Sequence, residues 1–359
     1  MKVLEIINSL SYRGGAQVLF NGLCREFAKN PNVELSILLL YGKIDGSFNE
    51  LKKLPNVKFY CLNKITSIDL KASRKLKKII TSIDPDVINY HLPFLTTYFL
   101  AFGFYTGNWK LVKTFHSIPR KDTNHLELFF EKMFVKKKKL LFVGISDKIT
   151  DIASKIYKKA NIKTIFNGVM LKKNNSLSTK KYTFICIASF TAVKNHKLLF
   201  DAFFKHLLLH PNDTLVCVGD GELLDYYKNF IKNEGYDSKV FFTGAVDDVC
   251  SYLNESKIFV LSSTREGNPI SILEAMSCGL PIIAPNIGGI PDVVRDNENG
   301  ILFESNNVDE LSNAMSKVMT KYKFYSTNNR TKSSNFNIKK TAIEYFDYFQ
   351  DLKDGVIHE

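Results

Sequence analysis

The sequence predicts an α/β protein of two doubly wound domains, each built on a parallel sheet. Short runs of Val, Ile, Leu and Phe alternate with helical stretches along the whole chain, which is typical of parallel strands buried on both faces. At 359 residues the chain is longer than a single hydrophobic core usually reaches. A polar stretch without periodicity, residues 171–181, divides the alternating pattern into two sets and reads as a linker.

Each apolar run in the two sets predicts a strand. The first set is expected near residues 2–8, 34–41, 57–62, 86–91, 110–115, 140–145 and 163–166. The second set is expected near residues 183–188, 214–219, 240–243, 258–262, 281–284 and 301–303. We therefore place one domain at 1–170 and the other at 171–339, with a C-terminal helix, about 340–359, packing back on the first. The carboxyl ends of both sheets are expected to face a central cleft.

Charge is distributed unevenly along the chain. Residues 1–170 hold 28 Lys and Arg against 13 Asp and Glu, a net +15, whereas residues 171–359 hold 21 against 23, a net −2. Such asymmetry favours contact between the first domain and phospholipid, a phosphorylated carrier or nucleic acid. A basic surface that serves solubility remains the alternative.

The compartment follows from the cysteines and the N-terminus. The six cysteines lie far apart in sequence without a C-x-x-C pair, which favours reduced thiols and indicates no zinc site or disulfide framework. The first residues are too short and too charged for a signal peptide, so we expect a cytoplasmic protein. Residues 92–109 carry no charge, but Pro93, Gly103 and Gly107 favour a buried helix with turns over a membrane span.

The most informative segment runs from Arg265 to Pro281. It follows a predicted strand and opens a helix, with Asn268 suited to the N-cap, Pro269 to the first turn and Gly279 to the stop. The 100° spacing puts Ile272, Leu273, Met276 and Leu280 on one apolar arc, with Ser271, Glu274 and Cys278 on the far side.

Two carboxylates mark this segment, Glu266 on the loop and Glu274 on the helix. A solvated surface role is the ordinary interpretation of a helix glutamate such as Glu274. The unpaired N–H groups and positive dipole of the helix N-terminus, however, form an anion site. A diphosphate there would leave a sugar near Glu266 and a ribose near Glu274, since carboxylates accept hydrogen bonds from neighbouring hydroxyls.

These residues resemble the retaining GT-B glycosyltransferases of family 4, also called glycosyl transferases group 1. The Glu-x7-Glu pair Glu266 and Glu274 matches the family signature in spacing and setting. The resemblance also covers Gly14-Gly15-Ala16, Phe115-His116, Asn167-Gly168-Val169, Val193-Lys194-Asn195-His196, Gly219-Asp220-Gly221-Glu222, residues 284–294 and Asn299-Gly300. Each piece is weak alone, but the ordered set spans nearly the whole chain.

The resemblance implies roles for particular residues. His116, Lys194 and Glu266 would be catalytic: His116 against the donor sugar, Lys194 on the leaving diphosphate. The implied substrate-binding residues are Gly14, Gly15, Ser189, Asp220, Gly267, Asn268, Pro269, Ile270, Ser271 and Glu274. A surface lysine and a hydrogen-bonded strand-end histidine are the structural alternatives for Lys194 and His116. No Asp-x-Asp metal set stands out, so a metal-independent reaction without a cofactor is expected.

Two positions depart from the family pattern. Ser189 stands where an arginine often precedes the lysine by five residues, and a serine cannot supply a fixed positive fork for phosphate. Arg265 and Arg295 are the nearby cations in sequence. Asn268 replaces a bulky residue, which alters the expected shape of the sugar pocket.

A second surface is predicted in the first domain. In residues 123–139 an apolar arc of Leu126, Phe129, Phe130, Met133 and Phe134 is followed by the basic run Lys136–Lys139. Either this helix touches anionic lipid or it packs on the core with a solvated basic end. The basic residues Lys71, Arg74, Lys75, Lys77 and Lys78 on another predicted helix favour the membrane interpretation.

The function expected is retaining transfer of a hexose-type sugar from a nucleotide diphosphate sugar, with UDP as the expected nucleotide. The acceptor would be a cell-surface glycan or its lipid-linked precursor, at the inner face of the membrane. A non-catalytic GT-B binding partner is the alternative, which Ser189 favours and the retained Glu266, Glu274 and Lys194 oppose. A nicotinamide oxidoreductase lacks its G-x-G-x-x-G fingerprint here, and nucleic acid is not expected because neither stacking platforms nor a helix-turn-helix are visible.

Overall fold

The structure is a computed structural model that describes residues 1–10, 14–42, 44, 46–63, 70–91, 108–119, 125–136, 140–158, 160–171 and 179–356. The described chain forms two compact units. One contains Met1–Gly168 together with Ile338–Glu359, and the other contains Val169–Asn337. Each unit is an α/β layer structure on its own parallel sheet, which confirms the predicted fold class.

The strands lie where the apolar runs predict them, with ends that differ by at most two residues. The first sheet consists of β1 (Lys2–Ile7), β2 (Glu34–Leu39), β3 (Val57–Cys61), β4 (Val87–His91), β5 (Lys110–Phe115), β6 (Leu140–Gly144) and β7 (Ile162–Thr164). The second consists of β8 (Tyr182–Ile187), β9 (Leu215–Val218), β10 (Val240–Gly244), β11 (Ser256–Val260), β12 (Ile282–Pro285) and β13 (Gly300–Phe303).

Both sheets reverse their strand order in the middle. The first has the order β3-β2-β1-β4-β5-β6-β7 and the second the order β10-β9-β8-β11-β12-β13. All strand pairs are parallel, so the carboxyl ends of a sheet's strands lie at one edge. The reversal falls between β1 and β4 in one sheet and between β8 and β11 in the other. Ligands of open α/β sheets bind at such switch points.

Helices connect and cover the strands. In the first unit the described helices are α1 (Gly15–Phe27), α2 (Leu70–Ile83), α3 (His125–Lys136), α4 (Asp147–Ile156) and, from the chain end, α12 (Ile338–Lys353). In the second they are α5 (His196–Leu207), α6 (Leu224–Asn233), α7 (Val249–Asn254), α8 (Ile270–Ser277), α9 (Ile290–Val293), α10 (Val308–Lys317) and α11 (Tyr322–Ser333). Central strands such as β4 and β9 are buried at every residue, so both of their faces are covered.

Helix α12 packs within the first unit although it follows the second in sequence. It lies against α1, where Gly22 leaves room for the Ile338 side chain: an added Cβ would lie 2.7 Å from its Cγ1 atom. The Thr341 hydroxyl also donates to the carbonyl of Phe166 at 3.1 Å. Buried Tyr345 and Phe349 complete this contact, so the chain end is part of the first core.

The described side chains of the predicted apolar arc of helix α3 are unequally buried. Phe134 is buried but Phe129 is 64% exposed, and the fully buried positions are Glu127 and Glu131. Their partner is the buried Lys113 of β5, whose Nζ lies 3.7 Å from Glu127 Oε1 and 2.5 Å from Glu131 Oε1. The inner side of this helix therefore carries an internal ion-pair cluster beside Phe134.

Helix α2 carries the predicted basic surface. Lys71, Arg74, Lys75, Lys77 and Lys78 are all exposed, while the opposite side is buried. Within the described ranges no helix is both long and apolar enough to cross a membrane. Most of the uncharged stretch, residues 92–107, lies outside the described residues, as do residues 137–139 of the basic run and most of the linker.

Candidate functional site

The predicted residues of the second unit lie on loops at the carboxyl ends of its strands. Ser189 and Lys194 follow β8, Asp220 follows β9, and Glu266 follows β11. Because β8 and β11 flank the switch point of the sheet, the loops carrying Lys194 and Glu266 are neighbours. The fold thus brings together residues that are 72 positions apart in the chain.

Lys194 and Glu266 form an ion pair. The Nζ atom of Lys194 donates to Oε1 of Glu266 at 2.7 Å, and the two side chains are 25% and 9% exposed. The backbones are joined as well: the Thr264 amide donates to the Val193 carbonyl at 2.8 Å, and the Ser262 hydroxyl to the Lys194 carbonyl at 2.9 Å. The pair is therefore a charge-assisted hydrogen bond held on a braced loop.

Gly288, in the loop after β12, packs against the backbone of Glu266. Its φ of +54° lies in the left-handed region, and an added Cβ would come within 1.9 Å of the Glu266 carbonyl oxygen. The next amide, that of Gly289, donates to the same oxygen at 3.4 Å. Only glycine fits so close to another backbone in this conformation, so the Gly288-Gly289 pair of the family motif sets the position of Glu266.

Ser189 and Asp220 occupy the outer part of the same edge. Both are exposed, and the Asp220 carbonyl accepts from the Phe190 amide at 3.0 Å, which joins the loops after β8 and β9. The Asp220 carboxylate itself accepts from the Gly221 amide at 2.7 Å. Arg265 and Arg295 are exposed too, so these cations remain candidates to replace the family arginine.

Helix α8 begins one residue later than predicted. Its N-cap is Pro269, with φ −71° and ψ 115° and no side-chain cap, so the predicted Asn268 N-cap is wrong. The extended ψ of Pro269 keeps that residue outside the helix, so the first residue of helix α8 is Ile270. The predicted stop is confirmed: the amides of Gly279 and Leu280 donate to Met276 and Ala275 in a Schellman pattern.

The burial of the side chains of α8 agrees with the predicted faces except at Cys278. The predicted apolar arc is confirmed, since Ile272, Leu273, Met276 and Leu280 are at most 1% exposed. Ser271 and Glu274 are partly exposed, as expected for the far side. Cys278 is nevertheless buried, with its sulfur 3.6 Å from that of Cys250. Helix α7, which carries Cys250, covers this end of α8, a contact that periodicity alone does not predict.

The predicted residues of the first unit also lie at carboxyl ends of strands. Gly14 is the N-cap of α1, with φ −79° and ψ 159°, and Gly15 is the first residue of that helix. His116 directly follows β5 and is partly buried. Its Nε2 lies 2.7 Å from Nδ1 of His91, at the end of β4. The structural alternative, a hydrogen-bonded strand-end histidine, therefore describes part of its environment.

Sequence reasoning missed two residues behind His116. Glu5 of β1 and His91 are both buried, and His91 Nε2 lies 2.9 Å from Glu5 Oε2. The amide nitrogen of Asn89 lies 3.1 Å from each Glu5 oxygen, and the Thr114 hydroxyl donates to the Asn89 oxygen at 3.0 Å. A glutamate in the middle of the apolar run of β1 was the available signal, because a charged residue in a central strand needs a partner.

Burial controls the ionisation of this group. Desolvation raises the pKa of Glu5 to about 8, against the opposing hydrogen bond from Asn89. Burial lowers the pKa of His91 to about 3. Burial, and secondarily the neighbouring His91, lowers the pKa of His116 well below its usual value. Near neutral pH the group therefore holds a protonated carboxyl and two neutral imidazoles.

Two family models match the chain, one on each half. The model described as Glycosyltransferase Family 4 matches residues 13–173, and the model described as Glycosyl transferases group 1 matches residues 170–335. The chain belongs to the family 4 GT-B glycosyltransferases. The order and spacing of the glycosyltransferase motifs noted in the sequence are thereby explained.

The chain is also similar in sequence to individual glycosyltransferases. The chain is 27% identical to the UDP-Gal:alpha-D-GlcNAc-diphosphoundecaprenol alpha-1,3-galactosyltransferase of Escherichia coli, covering 91% of this chain and 92% of that protein. It is 30% identical to an uncharacterized glycosyltransferase of Haemophilus influenzae, but spans only 55% of that protein's length and 53% of its own.

The fold of the glycosyltransferase is also shared with solved structures. The crystal structure of Anabaena HepE in complex with UDP-glucose aligns with a TM-score of 0.78 over 98% of this chain and 100% of that chain, at 19% identity. At that identity the likeness concerns the fold alone. Together with the sheet orders, it supports the GT-B class for this glycosyltransferase.

One group of three potential metal ligands occurs among the described residues of the glycosyltransferase. His206, His210 and Asp213 lie close together in the second unit. His206 already uses both ring nitrogens, at 3.0 Å from the Ser316 hydroxyl and 2.8 Å from Asp213. These contacts join α5 to α10 and to the start of β9, so the group has a structural explanation.

Proposed function

We propose that this glycosyltransferase transfers a hexose-type sugar from a UDP-sugar, with retention of anomeric configuration and without a metal ion. The observation that carries the proposal is the Lys194–Glu266 ion pair, held on braced loops beside the N-terminus of α8. The cation and the N-terminal amides of α8 suit the diphosphate of a nucleotide sugar, and the carboxylate between them in sequence suits the hydroxyls of its sugar.

In the proposed complex the diphosphate lies at the N-terminus of α8, next to Gly267–Ser271. Glu266 accepts hydrogen bonds from the sugar and Glu274 from the ribose, while His116 hydrogen-bonds the donor sugar. Gly14 and Gly15 allow backbone amides near the phosphates, because neither carries a Cβ. Exposed Ser189 and Asp220 complete the donor contacts.

The proposed transfer has one bond formed and one broken at the anomeric carbon. The acceptor oxygen attacks from the face from which the diphosphate departs, and the departing phosphate oxygen takes the acceptor's proton. Lys194 leaves its pairing with Glu266 in part and offsets the negative charge that grows on the leaving group. A preformed cation in this position makes a bound metal unnecessary.

We further propose a lipid-linked acceptor at an anionic membrane surface. The basic face of α2 supplies five exposed cations. The Escherichia coli relative is named for a diphosphoundecaprenol-linked substrate, which pairs a lipid with phosphate groups. Polysaccharide or glycolipid biosynthesis at the inner face of the cell membrane is the setting that these two observations favour.

The donor can be tested on the purified chain. We expect UDP and one UDP-sugar to raise the melting temperature in a panel of nucleotide sugars, because a ligand that binds only the folded state stabilises it by mass action. If only nucleotides with a base other than uracil raise the melting temperature, the assignment of UDP is refuted. Product anomers read by NMR would test retention, and full turnover in EDTA would test metal independence.

The alternative, a non-catalytic partner of another glycosyltransferase, is favoured by Ser189 at the family arginine position. Slow hydrolysis of the bound donor in the absence of acceptor distinguishes the two. A catalytic site releases sugar at a rate that Lys194→Met lowers. A binding partner binds donor but releases none above the rate of the Lys194→Met protein.

A further inference from the structure

A line of polar side chains crosses the first sheet beneath His116. Glu5 of β1 pairs in register with Asn89 of β4, and His91 of β4 pairs with Thr114 of β5. Paired residues of neighbouring strands share a face, and every second residue along a strand returns to it. The five residues Glu5, Asn89, His91, Thr114 and His116 therefore lie on one face, ordered towards the carboxyl edge.

Continuous hydrogen bonds connect this line. Glu5 Oε2 lies 2.9 Å from His91 Nε2, and His91 Nδ1 lies 2.7 Å from His116 Nε2. The ring of Phe20, from α1, packs nearly perpendicular to the His91 ring, with centroids 5.2 Å apart. His91 consequently contacts Glu5 through one nitrogen and His116 through the other, with its ring held in place.

The bonds can be satisfied with the hydrogens running in either direction. If Glu5 is protonated, it donates to His91 Nε2, His91 donates from Nδ1 to His116 Nε2, and His116 keeps its own hydrogen on Nδ1. If Glu5 is ionised, each bond reverses and the hydrogen of His116 lies on Nε2. One carboxyl proton therefore decides which nitrogen of His116 is a donor.

Asn89 favours the first arrangement. Its oxygen is occupied by the Thr114 hydroxyl, so its amide nitrogen, a donor only, faces Glu5 and lies 3.0 Å from His91 Nε2. A donor this close to Nε2 disfavours a hydrogen on that nitrogen. From the covering helices Cys24 of α1 and Tyr345 of α12 also face the group, and burial raises the pKa of both, so they stay neutral.

We propose that Glu5 and His91 form a positioning relay that keeps the hydrogen of His116 on Nδ1, so that this nitrogen donates to the sugar. The donation to sugar rests on the role proposed above for His116, whereas the tautomer does not. Glu5 and His91 touch no substrate in this scheme and act through His116, as the residues that orient a metal-bound or catalytic imidazole do.

The tautomer can be read directly. The chain has seven histidines, so protein labelled with ¹⁵N only in histidine gives few ring signals, and loss of one set in His116→Gln assigns that ring. At pH 7 we expect a protonated Nδ1 and a bare Nε2 for His116. Glu5→Gln should keep this pattern, since an amide also donates to His91, whereas Glu5→Leu should alter it. Tyr348→Phe, which removes another buried hydroxyl of this unit, is the control and should not.

Turnover provides a second readout. As pH rises through the pKa of Glu5, at about 8, the bonds reverse and kcat should fall. Glu5→Gln should keep neutral-pH activity and lose this alkaline decline, while Glu5→Leu should lower kcat about 10- to 100-fold with little change in the KM of the acceptor.

The outcomes separate the relay from the proposed function. A hydrogen on His116 Nε2 at pH 7, or a Glu5→Gln protein whose ring signals match those of Glu5→Leu, would overturn the relay. If the Nδ1 tautomer is found and changes in Glu5→Leu while kcat does not, the relay stands and the sugar contact of His116 fails.

Discussion

At the residue scale the proposed chemistry depends on Lys194, whose ammonium is paired with Glu266. We expect Lys194→Met to lower kcat with a smaller change in donor affinity, by about 3 kcal/mol in transition-state free energy, since the cation opposes charge that grows as the diphosphate leaves. Steady-state kinetics with the identified donor measure this. Lys197→Met removes an exposed lysine three residues away and is the control.

The competing interpretation is that Lys194 contributes to donor binding but not to the chemical step. In that case the KM of the donor would rise and kcat would stay near that of the unmodified protein, and Lys194 would lose its proposed catalytic role.

Glu274 lies on the partly exposed side of α8, opposite the fully buried arc. We expect Glu274→Gln to weaken binding of UDP, because an amide presents only one acceptor to the ribose hydroxyls where the carboxylate presents two. The melting temperature should change little. Calorimetric titration with UDP measures the effect, and Glu234→Gln, at an exposed helix end, is the control. If the two variants bind UDP with equal affinity, Glu274 does not contact the donor.

At the element scale the loop after β12 is held by contact between backbones. We expect Gly288→Ala to destabilise the second unit and to weaken donor binding, because its methyl group would displace the Glu266 carbonyl. Gly235→Ala is a matched control: Gly235 also has a positive φ, +77°, but nothing lies within 4 Å of its added Cβ.

Both alanine variants carry the conformational cost of a left-handed residue, about 1 kcal/mol. The difference between their melting temperatures and UDP affinities therefore isolates the steric term. Similar losses in the two proteins would mean that the loop tolerates the displacement.

Helix α3 is fixed by the ion-pair cluster on its inner side. We expect Lys113→Met to lower stability by about 3–5 kcal/mol, because it leaves the carboxylates of Glu127 and Glu131 buried without their cation. Thermal melting of the purified protein measures this. Lys110→Met alters a partly exposed lysine at the start of the same strand and should cost far less.

The triple variant Lys113→Met, Glu127→Leu, Glu131→Leu sharpens the test. It should recover much of the loss, since a well-packed apolar cluster often replaces a buried ion pair without cost. If neither this variant nor one with Glu131→Gln, which keeps an acceptor for the buried Tyr157 hydroxyl, is more stable than the single variant, packing rather than uncompensated charge explains the defect.

At the scale of the whole molecule the charge asymmetry predicts membrane contact. We expect the full chain to co-sediment with anionic vesicles and to dissociate as salt rises, because the Debye length falls from about 10 Å at 0.1 M to 3 Å at 1 M salt. Replacing the five basic residues of α2 with glutamine should weaken binding by up to about 5 kcal/mol, at about 1 kcal/mol each.

The control removes the same charge from the other unit. It replaces five exposed lysines with glutamine: Lys228, Lys232, Lys317, Lys321 and Lys323. Equal loss from both sets would indicate an unspecific effect of net charge. Equally poor binding to neutral and anionic vesicles at low salt would remove the support for a membrane-bound acceptor.

The amino-acid sequence was sufficient to predict the strands, their division into two sets, and the apolar arc and C-terminal stop of helix α8. This was possible because burial imposes a period of two or 3.6 residues, and because Gly279 acts within one turn of its own position. The family motif placed Lys194 and Glu266 at one donor site, but their ion pair was not predicted.

Which polar residues lie next to one another depends on the tertiary fold. Glu5 and His91 are 86 residues apart and meet because β1 and β4 are adjacent at the reversal of strand order. Likewise Glu127 and Glu131 are buried because Lys113 of β5 pairs with them, although neither belongs to the apolar arc of their own helix. Periodicity specifies a face within one element, whereas an unpaired buried charge is stabilised only by a partner that another element supplies.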